Sequence, residues 1–132
     1  MGHRIHCSIL TPEKVVYEGE ADAVYIAAYD GERGFLPGHA PMVVQLGIGM
    51  TRLYNGQHCA LFEIEGGFAE FSKNRIIMLA EEAMKKEELS ERHIRSELDD
   101  MHAMTRPADR EEAKKYDISL KKLQSRLKIA VK

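Results

Sequence analysis

Alternating hydrophobic and polar residues mark the first part of the chain as a series of short strands. Ile5, Cys7 and Ile9 alternate with polar neighbours, which is the period of a strand that buries one face. Segment 21–29 is hydrophobic at nearly every position and contains β-branched and aromatic residues, so it predicts a strand covered on both faces. Further strands are predicted at 51–54, 57–64, 68–71 and 76–79.

Turn-forming residues separate these strands. Asn55-Gly56 predicts a type I′ hairpin turn, because both residues tolerate the positive φ angles that this turn requires. Gly66-Gly67 predicts a bulge or a tight bend, and Lys73-Asn74 predicts a turn into the last strand. Many short strands joined by glycine-rich turns indicate an antiparallel β-sandwich or a flattened barrel.

From residue 90 onward the hydrophobic spacing changes to that of two amphipathic helices. Ser90 is a predicted N-cap, and Pro107 cannot continue the first helix. Asp109 to Glu112 resembles a capping box that begins the second helix. The predicted hydrophobic positions are Ile94, Leu98, Met101 and Thr105 in the first helix, and Ala113, Tyr116, Leu120, Leu123, Leu127 and Ala130 in the second. The short break between them favours an antiparallel hairpin.

Composition changes at the same place. Fifteen of the first 80 residues are charged, against 25 of the last 52, and all ten glycines lie at or before Gly67. We therefore predict two domains, a β-sandwich over residues 1–86 and a helical hairpin over residues 87–132.

Charge and motif content disfavour several classes of function. The net charge of −2 attracts neither nucleic acid nor anionic lipid to the whole molecule, and acidic residues interleave the basic helix. The longest hydrophobic run, 23–29, is far shorter than the roughly 20 residues of a membrane span. No nucleophile, phosphate-loop or dinucleotide motif is present, and no pair among the six histidines has chelating spacing. An enzyme with its own active site, a metal centre and a nucleic-acid-binding protein are all disfavoured.

One stretch is specific enough to suggest a family. Residues 30–41 contain three glycines and two prolines, which predicts a rigid connecting loop. The pattern from Gly31 to Pro41, a later Gly66-Gly67-Phe68-Ala69-Glu70 and the basic helical hairpin together resemble the epsilon subunit of bacterial F-type ATP synthases. The resemblance extends over nearly the whole chain.

The resemblance implies a non-catalytic rotor subunit at the foot of the central stalk. The sandwich would contact the gamma subunit and the loops of the c-ring, on the cytoplasmic side of the bacterial membrane and peripheral to it. The implied interface residues are Gly31, Glu32, Arg33, Gly34, Pro37, Gly38 and His39. Glu32 is the predicted c-ring contact. For His39 two alternatives stay open, a contact near gamma or a hydrogen bond within its own loop.

The last helix has two basic flanks beside its leucine seam. In the family this helix can leave the sandwich, extend along gamma towards an acidic region of the beta subunit, and block ATP hydrolysis. The predicted inhibitory contacts are Lys121, Lys122, Arg126 and Lys128. Ile118 and Ile129 are predicted to point away from the seam and to be available to a second partner. An ordinary solvated face is the alternative explanation of the charge run.

Some relatives bind ATP where the helices meet the sandwich, so a nucleotide-sensing domain is the alternative function. In the family's motif this chain has Ser90 in place of the aspartate and His93 in place of the arginine. Losing both groups removes charge-assisted contacts to the nucleotide. We therefore expect no cofactor, with ATP left open as a weak regulatory ligand at Arg92, His93, Lys122 and Arg126.

Overall fold

The computed structural model describes residues 3–132. It has eight strands, β1 (Ile5–Leu10), β2 (Val15–Ala21), β3 (Ala23–Ala28), β4 (Gly31–Phe35), β5 (Met42–Gln45), β6 (Ile48–Asn55), β7 (His58–Ser72) and β8 (Arg75–Lys85). A 3-10 turn (Lys86–Glu88) and two helices follow, α1 (Glu91–Ala103) and α2 (Arg110–Ala130). The predicted order, strands first and then two helices, is confirmed.

The strands form a sandwich because β7 and β8 are long enough to belong to both layers. In the first layer β4, β3 and β6 continue into the first half of β7 and the second half of β8. In the second layer β2 and β1 continue into the first half of β8, the second half of β7 and then β5. All pairs are antiparallel except β1 with β8. The predicted antiparallel sandwich is therefore correct apart from this one parallel pair.

Gly66 and Gly67 form the bend at which β7 passes from one layer to the other. Both have positive φ angles, 74° and 108°. A Cβ atom on Gly67 would overlap the Leu79 carbonyl oxygen. The register between β7 and β8 is the same on both sides of the bend, so this is a bend without a one-residue bulge. Segments 57–64 and 68–71, predicted as separate strands, are thus one strand.

The hairpin turns differ in detail from the prediction. Asn55 pairs with His58, so the two turn residues are Gly56 and Gln57, and only Gly56 has a positive φ. The predicted type I′ turn at Asn55-Gly56 is therefore wrong; glycine at the first turn position with an ordinary second residue is the type II′ pattern. The positive φ angles required by a type I′ turn occur instead at Lys73 and Asn74.

The sandwich encloses a single hydrophobic core between its two layers. Its largest fully buried side chains include Phe35, Phe71, Leu53, Ile76 and Met78. On β7, Phe62 and Ile64 point into this core, while the alternating Glu63 and Glu65 lie on the outer face. The outer face of the first layer is therefore the surface on which a covering element meets two glutamates.

The helical hairpin supplies that covering element. Ser90 and Asp109 cap the two helices as predicted, each accepting a hydrogen bond from a backbone N–H three residues on. The first helix ends at Ala103, so Thr105 lies outside it. Ile94, Leu98 and Leu123 form a second hydrophobic cluster between the helices. Helix α2 also packs against β6 and β7, which places the hairpin on the first layer.

The predicted division after residue 86 falls inside the 3-10 turn. Strand β8 ends at Lys85, and the Glu88 side chain accepts a hydrogen bond from the Lys85 N–H. Neither helix within residues 3–132 combines the length and hydropathy that crossing a membrane would need.

Candidate functional site

Residues 31–39 form two structures and not one continuous loop. Gly31 to Phe35 form the edge strand β4, paired along its length with β3. Residues 36–41 form a turn at its far end, where Phe35 pairs with Val24. The prediction of a single rigid loop is wrong because Gly34 permits close strand pairing: a Cβ there would meet the Tyr25 ring at 2.6 Å. The predicted interface residues thus lie along this strand, from Gly31 to Gly34, and in the turn after it, from Pro37 to His39.

Glu32 and Arg33 on this strand are already paired within the chain. Both oxygens of Glu32 accept hydrogen bonds of 2.9 Å from Arg52, and Arg33 pairs with Asp30. The Arg52 guanidinium lies 4.8 Å from the centre of the Tyr25 ring, a cation–π distance. The carboxylate of Glu32 is therefore held in place and half-exposed, with its charge partly neutralised.

The turn after β4 is rigid for a different reason. The His39 N–H donates to the Leu36 carbonyl, with Pro37 and Gly38 between them and a φ of 87° at Gly38, the pattern of a type II turn. The Gly38 N–H also donates to Asn74. The His39 ring lies against Phe35, and its Nδ1 is 2.7 Å from the Ala40 carbonyl oxygen. Of the two alternatives for His39, the hydrogen bond within its own turn is present.

An exposed hydrophobic strip crosses the outer face of the second layer. Phe68 and Leu79 are cross-strand partners on β7 and β8, and each is 56% exposed. Val43 on β5, 65% exposed, lies diagonally beside Phe68, and Leu10 on β1 is opposite Leu79. Contiguous exposed hydrophobic side chains of this kind mark surfaces for association.

On the other layer, α2 meets the sheet through a cluster of charged side chains, here called the glutamate cluster: Glu63, Glu65 and Glu82 of the sheet with Lys122, Ser125 and Arg126 of α2. Arg126 donates two hydrogen bonds to Glu65, at 2.7 and 3.0 Å, and lies 3.5 Å from Glu82. The Ser125 hydroxyl donates to Glu63 at 2.9 Å. A bidentate arginine–carboxylate pair is among the strongest polar contacts in proteins.

The pKa values of the two buried glutamates shift in opposite directions. Burial raises the pKa of Glu63 to about 9, helped by the neighbouring Glu65 carboxylate. Burial also acts to raise the pKa of Glu65, but hydrogen bonds, first from Arg126, outweigh it and lower that pKa to about 2. The position of Arg126 therefore favours the negative charge on Glu65 over that on Glu63.

The four basic residues predicted as inhibitory contacts separate into two pairs. Lys122 lies 3.4 Å from Glu82 and 3.7 Å from Glu65, so it belongs to the glutamate cluster with Arg126. Lys121 and Lys128 are exposed and form no ion pair with any of residues 3–132. They line a cleft of about 310 Å³ between α2 and β6, whose floor includes Ile48, Met50 and Ile129.

The two isoleucines of α2 have different environments. Ile118 is 43% exposed, in agreement with the prediction. Ile129 is 2% exposed, so the prediction that it is available to a second partner is wrong for this conformation. The reason is that α2 has two neighbours: the leucine seam packs on α1, and the opposite face near the C-terminus packs on β6.

The residues considered for ATP binding do not all line one pocket. His93 is exposed and pairs with Glu97 at 2.7 Å, and Ser90 is used as the helix cap. Lys122 and Arg126 do line a pocket with α1, but its remaining charged residues are Glu82, Glu97 and Asp100. Three carboxylates beside two basic groups repel phosphate. Arg92 is exposed and lines none of these surfaces.

Sequence reasoning missed the glutamate cluster and the hydrophobic strip. The alternation of Phe62 and Ile64 with Glu63 and Glu65 already indicates that the glutamates share the outer face of a strand. No local pattern shows that a helix about sixty residues later covers them. Among residues 3–132, no group of histidine, cysteine or acidic side chains is arranged to hold a metal ion.

Comparison with known proteins agrees with this architecture. The family model for the ATP synthase delta/epsilon chain β-sandwich domain matches residues 4–86. The ATP synthase epsilon chain of Halalkalibacterium halodurans is 32% identical over 128 residues, 96% of each chain. That of Granulibacter bethesdensis is 37% identical over 118 residues, covering 89% of this chain and 87% of the relative.

A solved structure has the same fold. A chain in the Euglena gracilis mitochondrial ATP synthase, solved as OSCP, F1 and c-ring, superposes with a TM-score of 0.84 at 23% identity, covering 98% of this chain and 82% of that one. The two chains therefore share the fold although their sequence identity is too low to show the similarity by itself. The resemblance inferred from the Gly31–Pro41 pattern is confirmed, and the chain belongs to the ATP synthase delta/epsilon chain family, whose members are non-catalytic subunits of that enzyme.

Proposed function

We propose that this chain is the rotor subunit that couples gamma to the c-ring and restrains ATP hydrolysis through its C-terminal helices. The observation that carries the proposal is the division of the molecule into two separate hydrophobic clusters, with α2 packed on the sheet through the glutamate cluster and Ile129. The sandwich has its own closed core, and the hairpin has its own smaller one. A rigid body that transmits torque and a separable arm that acts as a brake need this construction. As part of the complex, the chain lies peripherally on the cytoplasmic side of the bacterial membrane.

The hydrophobic strip of Val43, Phe68 and Leu79 is the surface we assign to gamma, together with the type II turn around Gly38. The half-exposed Glu32, held by Arg52, is the contact assigned to polar c-ring loops. Phe68→Lys should weaken binding to gamma at least tenfold, because burying an unpaired ammonium is costly. Tyr29→Lys, at an equally exposed hydrophobic position outside the strip, is the control and should bind normally. Equal binding of both variants would contradict the assignment.

The brake is assigned to α2 in a second, extended position. In the conformation described here Lys122 and Arg126 are occupied by the sheet, whereas Lys121 and Lys128 are free of ion pairs within the described residues. We propose that an acidic surface of the beta subunit takes up these charges once the hairpin leaves the sandwich. An element with two positions acts as a switch only when their free energies are close.

This division allows the two positions to be tested separately by charge reversal. Lys121→Glu with Lys128→Glu should raise ATP hydrolysis by the assembled enzyme, because only the extended contact is lost. Lys122→Glu with Arg126→Glu should in addition detach the hairpin from the sandwich, because it adds two carboxylates to the glutamate cluster. The effect of the Lys121/Lys128 reversal should shrink as salt rises, since both lysines are exposed and exposed charges are screened over about 8 Å.

A matched control reverses two exposed basic residues outside this face, Arg75 and Arg92. The control enzyme should hydrolyse ATP at the unmodified rate. A Lys121/Lys128 variant that is inhibited as strongly as the unmodified enzyme would contradict the role assigned to these lysines.

The alternative, a nucleotide-sensing domain, gains no support from the arrangement of charges around Lys122 and Arg126. We propose that ATP is at most a weak ligand of the hairpin, with a dissociation constant of about 1 mM or above. Calorimetric titration of the full chain measures this directly, and micromolar binding would restore the sensing function.

A further inference from the structure

We propose that the glutamate cluster makes packing of the hairpin on the sandwich proton-dependent: the hairpin takes up one proton when it docks and releases it when it leaves. This goes beyond the proposed brake, because it concerns how the docked position responds to pH and holds whether or not the hairpin inhibits hydrolysis.

The first observation is an uneven distribution of the basic groups between two buried carboxylates. Glu82 is half-exposed, Glu63 and Glu65 are buried, and both Lys122 and Arg126 lie closer to Glu65 than to Glu63. Glu63 and Glu65 are 0% and 1% exposed, so water compensates neither of them. A buried carboxylate without a counter-ion takes up a proton because ionisation would cost more than protonation.

The second observation identifies the protonated group. Arg126 donates its two shortest hydrogen bonds to Glu65, whereas its Nε is 3.9 Å from the nearer oxygen of Glu63. That oxygen, Oε1, has no hydrogen-bond partner within residues 3–132, while Oε2 accepts from Ser125. Glu63 is therefore the carboxyl with the weaker cationic contact, in agreement with its raised pKa described above.

The elements packed around Glu63 supply no second cation that pairs with it. On β6 its cross-strand partner is Met50, and the nearest charge on that face, Arg52, is taken by Glu32. On β8 its partner is Met84, with Glu82 one pair along. From the hairpin and the 3-10 turn the neighbouring charged groups are Glu97, Asp100, Lys122, Arg126, Lys86, Glu87 and Glu88. Lys121, Lys128 and Lys132 line the cleft beside Met50 and Ser125, but none of them forms an ion pair with Glu63. Among residues 3–132, Arg126 is therefore the one cation within ion-pair distance of Glu63.

Departure of the hairpin removes the cause of the proton uptake. Glu63 is on the outer face of β7, and α2 is the element that covers it. Once exposed, its pKa returns to the ordinary glutamate range of about 4.3. Because the docked pKa is the higher one, docking is most favourable at low pH and weakens as pH rises towards 9. Glu65 has the opposite sign, but it titrates below pH 5 and is constant over this range.

The test follows the ratio of undocked to docked hairpin in the full chain between pH 6 and 9. Energy transfer is measured between dyes on the exposed native Cys59 and on a cysteine introduced by Arg110→Cys at the start of α2; Cys7 is buried. One linked proton predicts a ratio that rises about tenfold per pH unit. Glu63→Gln should remove the pH dependence while preserving the bond from Ser125, and Glu70→Gln, at an exposed site on the same strand, should behave like the unmodified chain.

A ratio that does not change with pH in the unmodified chain, or an unchanged slope in Glu63→Gln, would overturn the proposal. A second measurement needs no variant: carboxyl ¹³C shifts of the full chain labelled at glutamate. One carboxyl that titrates near pH 9 supports the proposal, whereas titration of every glutamate below pH 6 overturns it.

Discussion

At the scale of single residues, a few positive-φ positions determine where the sandwich changes direction. Gly67 has a φ of 108° and no room for a Cβ, because the Leu79 carbonyl oxygen occupies that space. Gly56 also has a positive φ, 61°, but open space around it. Glycine is therefore required at the two positions for different reasons: close backbone approach at Gly67 and turn geometry alone at Gly56.

Alanine substitution distinguishes these reasons. Gly67→Ala should lower the free energy of unfolding of the full chain by more than about 3 kcal/mol, because a strained backbone adds to an overlap with the neighbouring strand. Gly56→Ala should cost less, about 1–3 kcal/mol, the cost of one strained backbone position without an overlap. Urea denaturation measures both, and equal losses would show that β7 and β8 move apart freely at the bend.

Residue-scale prediction from sequence was accurate where the cause is local and failed where it is tertiary. Ser90 and Asp109 were correctly predicted as caps because a cap depends on its next three residues. The turn glycine at 56 was identified, but the turn type depended on the pairing of Asn55 with His58. Burial of Glu63 and Glu65 depends on Arg126 and Ser125, about sixty residues away, and no local pattern contains that contact.

At the scale of elements, α2 is the helix whose faces decide how the hairpin behaves. Its leucine seam was predicted correctly, with Leu120, Leu123 and Leu127 in the cluster with α1. The burial of Ile129 was not predicted, because the prediction assumed that α2 has one packing partner, whereas the helix has two. A periodic pattern shows that a face is hydrophobic; it does not show how many surfaces the helix meets.

Ile118 and Ile129 form a matched pair for testing this double packing. Ile129→Ala should shift the docking equilibrium of the hairpin towards the undocked form by about 2–4 kcal/mol, because it leaves a cavity against β6. Ile118→Ala, at a half-exposed site on the same helix, should change it by less than about 0.5 kcal/mol. Hydrogen exchange of the α2 amides reports the difference, and comparable protection in both variants would contradict the packing of α2 on β6.

At the scale of the whole molecule, the sandwich and the hairpin meet through the glutamate cluster and the packing of Ile129 on β6. The sandwich closes its own core, so we expect its fold not to depend on the hairpin. The order of elements and the sandwich itself followed from the sequence because alternation and turn residues are local signals. The prediction of a continuous loop at 31–41 was wrong, because residues 31–35 pair with β3 as a strand. The surfaces proposed for gamma and the c-ring lie on the sandwich, and the proposed brake lies on the hairpin.

The most direct test of this division is the ATP hydrolysis rate of the assembled enzyme containing residues 1–88 only. This fragment retains the 3-10 turn that closes β8, and the two glutamates left uncovered become solvated. We expect normal assembly and normal ATP synthesis, with hydrolysis faster than in the enzyme that carries the full chain. Hydrolysis at the same rate with and without the hairpin, in an enzyme that assembles normally, would show that the hairpin is not a brake.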